Sequence, residues 1–183
     1  MIRAVVLAPE RVLSRPALDV DPCDPTVVLL AADLVDTMRA YPGCVGLAAP
    51  QVGDGRRVFC LDVAGHPKAR SCAGLVVLAN PVLVSGEAPT VGREGCQSVP
   101  HLTGDVARFR RVVVAGDELG TGLRRTYEAD AFEARAFQHE LDHLAGVLFL
   151  DRVAGAHAIF QRKTYLEAPV VQPAETGPLK GFQ

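Results

Sequence analysis

Residues 138–146 read QHELDHLAG. On a helix, residues four apart share a face, so His139 and His143 can aim imidazole nitrogens at one point. Glu140 lies beside them, near enough to reach a metal-bound water without ligating the metal. Two neutral donors and a general base are the physical content of an HExxH pattern. An exposed helix would carry the same residue types for no reason but solubility. The flanks Ala136, Phe137, Leu141 and Leu144 are apolar, however, which predicts a mainly buried helix whose polar groups need partners. Asp130 followed by Glu133 resembles a capping box, and Gly146 stands where a left-handed C-terminal glycine belongs. Both ends are signalled, so the spacing predicts a helix over 131–145.

The elements around it follow from pattern. Asp24 and Pro25 open a second helix over 25–40, with Val27, Leu30, Ala31, Leu34, Val35 and Met38 on its apolar face and Pro42–Gly43 after it. Short runs of strand character occupy 58–63, 75–80, 81–86, 111–116 and 123–129, with a hairpin loop at 117–122. A last strand is expected over 147–152 and a short helix over 153–166. Helices near the two ends with strands between them predict an α+β fold, mostly antiparallel. The 183 residues suit a single catalytic domain, 1–166, followed by a loosely ordered, Pro/Gly-rich tail, 167–183.

Composition excludes several roles. A net charge of −2 offers no basic footprint for nucleic acid or an anionic membrane. No apolar run approaches the roughly 18–20 residues of a membrane span. The start, MIRAVVLAPERVL, makes a poor signal peptide, so the cytoplasm is the expected address. Five cysteines, irregularly spaced and without a CxxC, argue against a disulfide framework; most are expected to be buried or inert.

Two histidines leave the ligand set short. In one protease pattern a third histidine follows six residues after the second, where Phe149 stands. Another pattern uses a downstream glutamate, for which Glu167 is the candidate. A third option lies upstream in GREGCQSVP (92–100): a Cys96 thiolate with two imidazoles suits Zn²⁺ or Fe²⁺ and leaves a position for water. PGCVGLAAPQVG (42–53) adds a Gly-rich backbone able to lie along an extended substrate, with Gln51 as a hydrogen-bond donor.

CVGLAAPQ (44–51), EGCQS (94–98) and QHELDH (138–143), in this order and spacing, resemble the three signature motifs of the peptide deformylase family. The resemblance implies an α+β fold with antiparallel strands wrapped around the HExxH helix. It implies that Cys96, His139 and His143 bind one divalent metal and that Glu140 is the general acid/base. Gln51 and the backbone N–H of Gln97 would form the oxyanion hole, and Val45 and Gly46 would pair with the substrate backbone. The implied reaction is removal of the N-formyl group from formyl-methionine at the start of a nascent polypeptide, releasing formate. The family's physiological metal is usually Fe²⁺, often exchanged for Zn²⁺, Ni²⁺ or Co²⁺ in preparations. An encounter with the ribosome is also implied, although no clear basic patch is visible. Two positions depart from the family pattern: Cys44 stands where the first motif usually has glycine, and Gln97 where the second usually has leucine. An HExxH endopeptidase and a non-catalytic metal-binding homologue are the competing readings.

Overall fold

The computed structural model describes residues 1–163. The first long helix, α1, spans Pro25–Ala40, as the spacing predicts. The Asp24 carboxylate caps it by accepting the Thr26 N–H at 2.7 Å. Five strands follow in sequence around the second helix: β1 Gly46–Ala48, β2 Val58–Leu61, β3 Val76–Cys96, β4 Val99–Glu118 and β5 Arg124–Asp130. Helix α2 is Ala131–Leu144, and β6 is Ile159–Gln161. Among the described residues these strands form one antiparallel sheet in the order β1-β2-β3-β4-β5, with β6 on β4.

The core lies on both faces of β2, all four residues of which are buried. Phe59 and Leu61 pack with Phe137 and Leu144 of α2, while Val58 and Cys60 pack with Leu30, Leu34 and Met38 of α1. Alternation along one strand thus glues the two helices to opposite faces.

Helix α2 ends as its sequence predicts. Gly146 has φ +74°, its N–H donates to the His143 carbonyl, and the Val147 N–H donates to the Asp142 carbonyl. A Cβ there would lie 2.8 Å from the Ser14 and Arg15 backbone. The N-terminus differs. Asp130 makes no side-chain cap, so the expected capping box is absent. Its Oδ1 instead accepts the Ser71 N–H, and Glu133 accepts the Ala73 N–H at 2.7 Å, so both carboxylates hold the 71–73 loop.

Three further expectations need correction. The runs at 75–80 and 81–86 are one strand, which continues to Cys96 through register shifts at Ala79/Val82 and Leu83/Ser85. Past Ala79, β3 has lost β2 as a neighbour and forms an edge, where Pro89 is tolerated. The 147–152 segment is not a strand. Phe149–Arg152 is a 3₁₀ turn, closed by Asp151 accepting the Leu148 N–H at 2.8 Å and pinned by Arg152 on Asp142. Over the described part of the helix expected at 153–166, residues 153–163, a 3₁₀ turn at Ala156–Ala158 instead leads into β6, which pairs with Leu102–Gly104; residues 164–166 lie outside the described residues. The 167–183 tail lies outside the described residues.

All five cysteines are free; Cys60 and Cys96 are buried, Cys44 is half-buried, and Cys23 and Cys72 are exposed. No helix among the described residues is long and apolar enough to cross a membrane.

Candidate metal centre

The turn between β3 and β4 consists of Gln97 and Ser98, so Cys96 sits at the tip of the sheet's longest hairpin. Helix α2 crosses that tip. Its Gln138 is fixed like a strand partner, accepting the Phe109 N–H at 3.0 Å and donating to the Phe109 carbonyl at 2.8 Å. The helix therefore holds a set rotation against β4, and it presents the next residue, His139, and His143 one turn beyond that to Cys96. Ligand atoms of Cys96, His139 and His143 all lie within 4.8 Å of one another, and Cys96 Sγ is 3.2 Å from His143 Nε2.

The donor set fits a divalent ion with a taste for sulfur and nitrogen. Burial works against a Cys96 thiolate, yet the His143 and His139 imidazoles outweigh it and hold the thiol well below its ordinary value. Burial likewise opposes charge on His139, but Cys96 and Glu94 raise its affinity for a proton well above the ordinary value. The surroundings thus favour positive charge between the sulfur and the rings, which an ion supplies. Glu140 Oε2 is buried and has no hydrogen-bond partner among the described residues, as expected of a group waiting for a water on that ion.

Behind the ligands runs a chain of buried charges. His139 Nδ1 is 2.9 Å from Glu94 Oε2, so Nδ1 carries the proton and the other nitrogen is left for the metal. Glu94 is also held by Arg108 through two bonds of 2.9 and 3.0 Å and by Arg135 at 2.9 Å. Arg108 reaches on to Asp142, which Arg152 grips through two bonds of 2.6 Å. Burial would raise the Glu94 carboxyl, but His139 and Arg108 prevail and keep it ionised far below the usual carboxylate range. Glu140 has no cationic partner of this kind. Burial pushes its carboxyl up to about 7, against the pull of both imidazoles.

The first motif packs on the other side. Gln51 is buried; its Oε1 accepts the Ala48 N–H at 3.0 Å, which turns Nε2 toward Cys96 Sγ at 3.4 Å and Ser98 Oγ at 3.3 Å. Gly46 approaches Glu140 so closely that a Cβ would lie 2.5 Å from Oε1 and 2.9 Å from Cδ. Gly46→Ala is therefore expected to displace the carboxylate and lower kcat by roughly 10²-fold, with metal content unchanged by elemental analysis. Cys44 is accommodated as a thiol. Burial pushes it up to about 12, and it donates to the Gly46 carbonyl at 3.1 Å.

Val45, Gly46, Gln51, Cys96, Gln97, His139 and Glu140 line one cleft of about 710 Å³, with His143 buried beneath it. Phe149, where a protease's third histidine would stand, instead stacks its ring near His139, centroids 6.5 Å apart. Glu167 lies outside the described residues. Glu94, Arg108, Asp142 and the β6 wall of the cleft carry no role in the sequence reading. Glu94 and Asp142 stand inside its motifs, EGCQS and QHELDH, and a charged residue within an apolar setting was their available signal.

Comparison with known proteins bears on the family and the fold. The Polypeptide deformylase family model matches residues 2–158. A peptide deformylase of Aquifex aeolicus (strain VF5) is 41% identical over 156 residues, covering 85% of this chain and 89% of the relative. One from Desulforudis audaxviator (strain MP104C) is 42% identical over 161 residues, covering 87% and 96%. Among solved structures, the peptide deformylase of Thermotoga maritima superposes with a TM-score of 0.75 at 33% identity, covering 85% of this chain and 99% of that one. The Ehrlichia chaffeensis peptide deformylase in complex with actinonin gives 0.77 at 30% identity, covering 84% and 89%.

Proposed function

Since this chain belongs to the polypeptide deformylase family, we propose that Cys96, His139 and His143 hold the metal of a deformylase and that Glu140 moves the proton. The observation that carries this assignment is the convergence of one thiol and two imidazoles within 4.8 Å, directly beside a buried carboxyl with a free oxygen. A divalent ion bound there supplies Lewis acidity and lowers the pKa of a coordinated water.

The chain's own groups do the rest. Glu140, poised near neutrality, takes a proton from the attacking water and returns it to the departing amine. The C–N bond of the formamide breaks, giving formate and a free N-terminus. The Gln51 Nε2–H and the backbone N–H of Gln97 donate to the oxygen that gains charge. Val45 and Gly46 take the substrate backbone. β1 pairs with β2 and ends the sheet, so its outer edge can accept an extended peptide as one more strand.

The substrate is the formyl-methionine end of a nascent polypeptide, met in the cytoplasm as it leaves the ribosome. No role in binding nucleic acid or membrane is proposed. Residues 1–166 constitute the catalytic unit. The resident ion in the cell is Fe²⁺, with Zn²⁺, Ni²⁺ or Co²⁺ able to replace it in preparations; metal analysis of anaerobically prepared protein checks this. Thiolate ligation also makes the centre sensitive to oxygen.

The test is formate release from a formyl-Met peptide together with metal content of Cys96→Ala. That variant is expected to lose the ion on dialysis, more than the roughly 10–100-fold loss of affinity that outer-sphere changes cause. Unchanged metal content in Cys96→Ala would point to a different third ligand and to an endopeptidase centre.

A further inference from the structure

Among the described residues, the cleft carries a half-buried cation, Arg162, that neither the metal cradle nor the buried charge chain uses. Four basic residues line it: Arg93, Arg135, Arg162 and Lys163. Arg93 is paired with Asp105 at 2.6 Å and lies 3.6 Å over the Phe160 ring. Arg135 is spent on Glu94 and on the carbonyls of Thr90, Gly92 and Val106. Arg162 is half-buried, and its guanidinium makes a single long bond, Nη2 to the Cys96 carbonyl at 3.4 Å. Its Nε is buried with no partner, and no carboxylate among the described residues pairs with it. The chain nevertheless positions it firmly. Its N–H donates to the His101 carbonyl at 2.9 Å, which extends the β6–β4 pairing. Its head stands over Gly95, where a Cβ would collide with it.

An uncompensated, partly desolvated guanidinium is costly unless something anionic arrives. Its planar fork matches a carboxylate. The head lies on the Gly95–Gln97 wall, beside the carbonyl of a metal ligand. Arg162 and Glu140 line the same cleft, and an extended peptide advances about 3.3 Å per residue, so the side chains brought toward this head are those following the formyl-methionine.

We propose that Arg162 is a specificity determinant that pairs with an Asp or Glu side chain at the second or third position of the substrate. This rests on the deformylase reading above. The shared chemistry is a carboxylate, and a short peptide could offer its C-terminal one instead.

The experiment compares kcat/KM of metal-loaded enzyme on C-terminally amidated formyl-Met tetrapeptides carrying Glu, Gln or Lys at position two or three. A free-acid peptide with neutral side chains runs alongside. Wild type is expected to favour Glu over Gln by roughly five- to tenfold, between the worth of an exposed and a buried pair, mainly through KM. In Arg162→Gln the Glu/Gln ratio falls to about one, and in Arg162→Glu it inverts in favour of Lys. Inversion cannot come from partial misfolding, which lowers all rates together. A Glu/Gln ratio near one in wild type, a ratio that survives both substitutions, or a gain confined to the free acid would overturn the proposal. Absence of formate release by wild type from every peptide would overturn the deformylase reading itself.

Discussion

Replacing Glu140 by alanine is expected to lower formate release from a formyl-Met peptide by roughly 10³-fold, within the range spanned by general acid–base groups, while the protein keeps its metal. The reasoning rests on position. Glu140 is not in the ligand group formed by Cys96, His139 and His143, so its loss leaves the ion's donors in place. Its buried carboxyl, raised to about 7, lies in the cleft and can both accept and return a proton near neutrality. Glu140→Gln keeps the shape but cannot carry the proton, and should fall as far. Rate and metal stoichiometry are measured on the same sample. Equal inactivity of wild type and variant, both with metal bound, would defeat the assignment.

The second large effect is on stability. Arg108 sits 5% exposed between Glu94 and Asp142, and both carboxylates are buried. Arg108→Ala leaves Glu94 facing only Arg135 and His139, and strips Asp142 of its interior partner. Breaking a buried ion pair from one side costs about 3–5 kcal/mol, or a fall in Tm of roughly 6–20 °C for a chain of this size. Thermal unfolding of the metal-loaded protein reads it. Glu94→Gln combined with Arg108→Met should cost less than Arg108→Ala alone, because the double change leaves no bare carboxylate at Glu94. A Tm within a degree or two of wild type for Arg108→Ala would show that water takes over the guanidinium's role.

The sequence made these helices readable because their signals are local. Asp24, Pro25 and the apolar spacing define α1 to the residue, and Gly146 marks the end of α2. The capping box misled because Asp130 and Glu133 are equally good acceptors for a neighbouring loop, and residues 71–73 reached them first. Residues 87–110 lacked strand signals because that ribbon is paired by its backbone while many of its side chains face water. Segment 147–161 read wrongly for the opposite reason. Its apolar run fills the space beside Val106 and Val99, and its hydrogen bonding is settled by distant partners, Asp142 for Arg152 and Leu102–Gly104 for β6. The site followed the same division. Histidine spacing and a thiol can be seen along the chain, and Cys96, His139 and His143 do converge. Arg108 could not be singled out, since within ARFRR (107–111) it looks like any member of an exposed basic run. Its burial depends on Glu94 and Asp142, which the chain brings together only in three dimensions.

The meander from β1 to β5 has a kinetic consequence. Each strand pairs with the one before it in the chain, so the sheet can close hairpin by hairpin, and the entropy cost of each closure grows only slowly with its length. Cys96 is in place once the tight β3–β4 hairpin has formed. The two histidines arrive together on a single helix, so one docking event completes the centre, and no slow search among distant loops separates a folded sheet from an active enzyme.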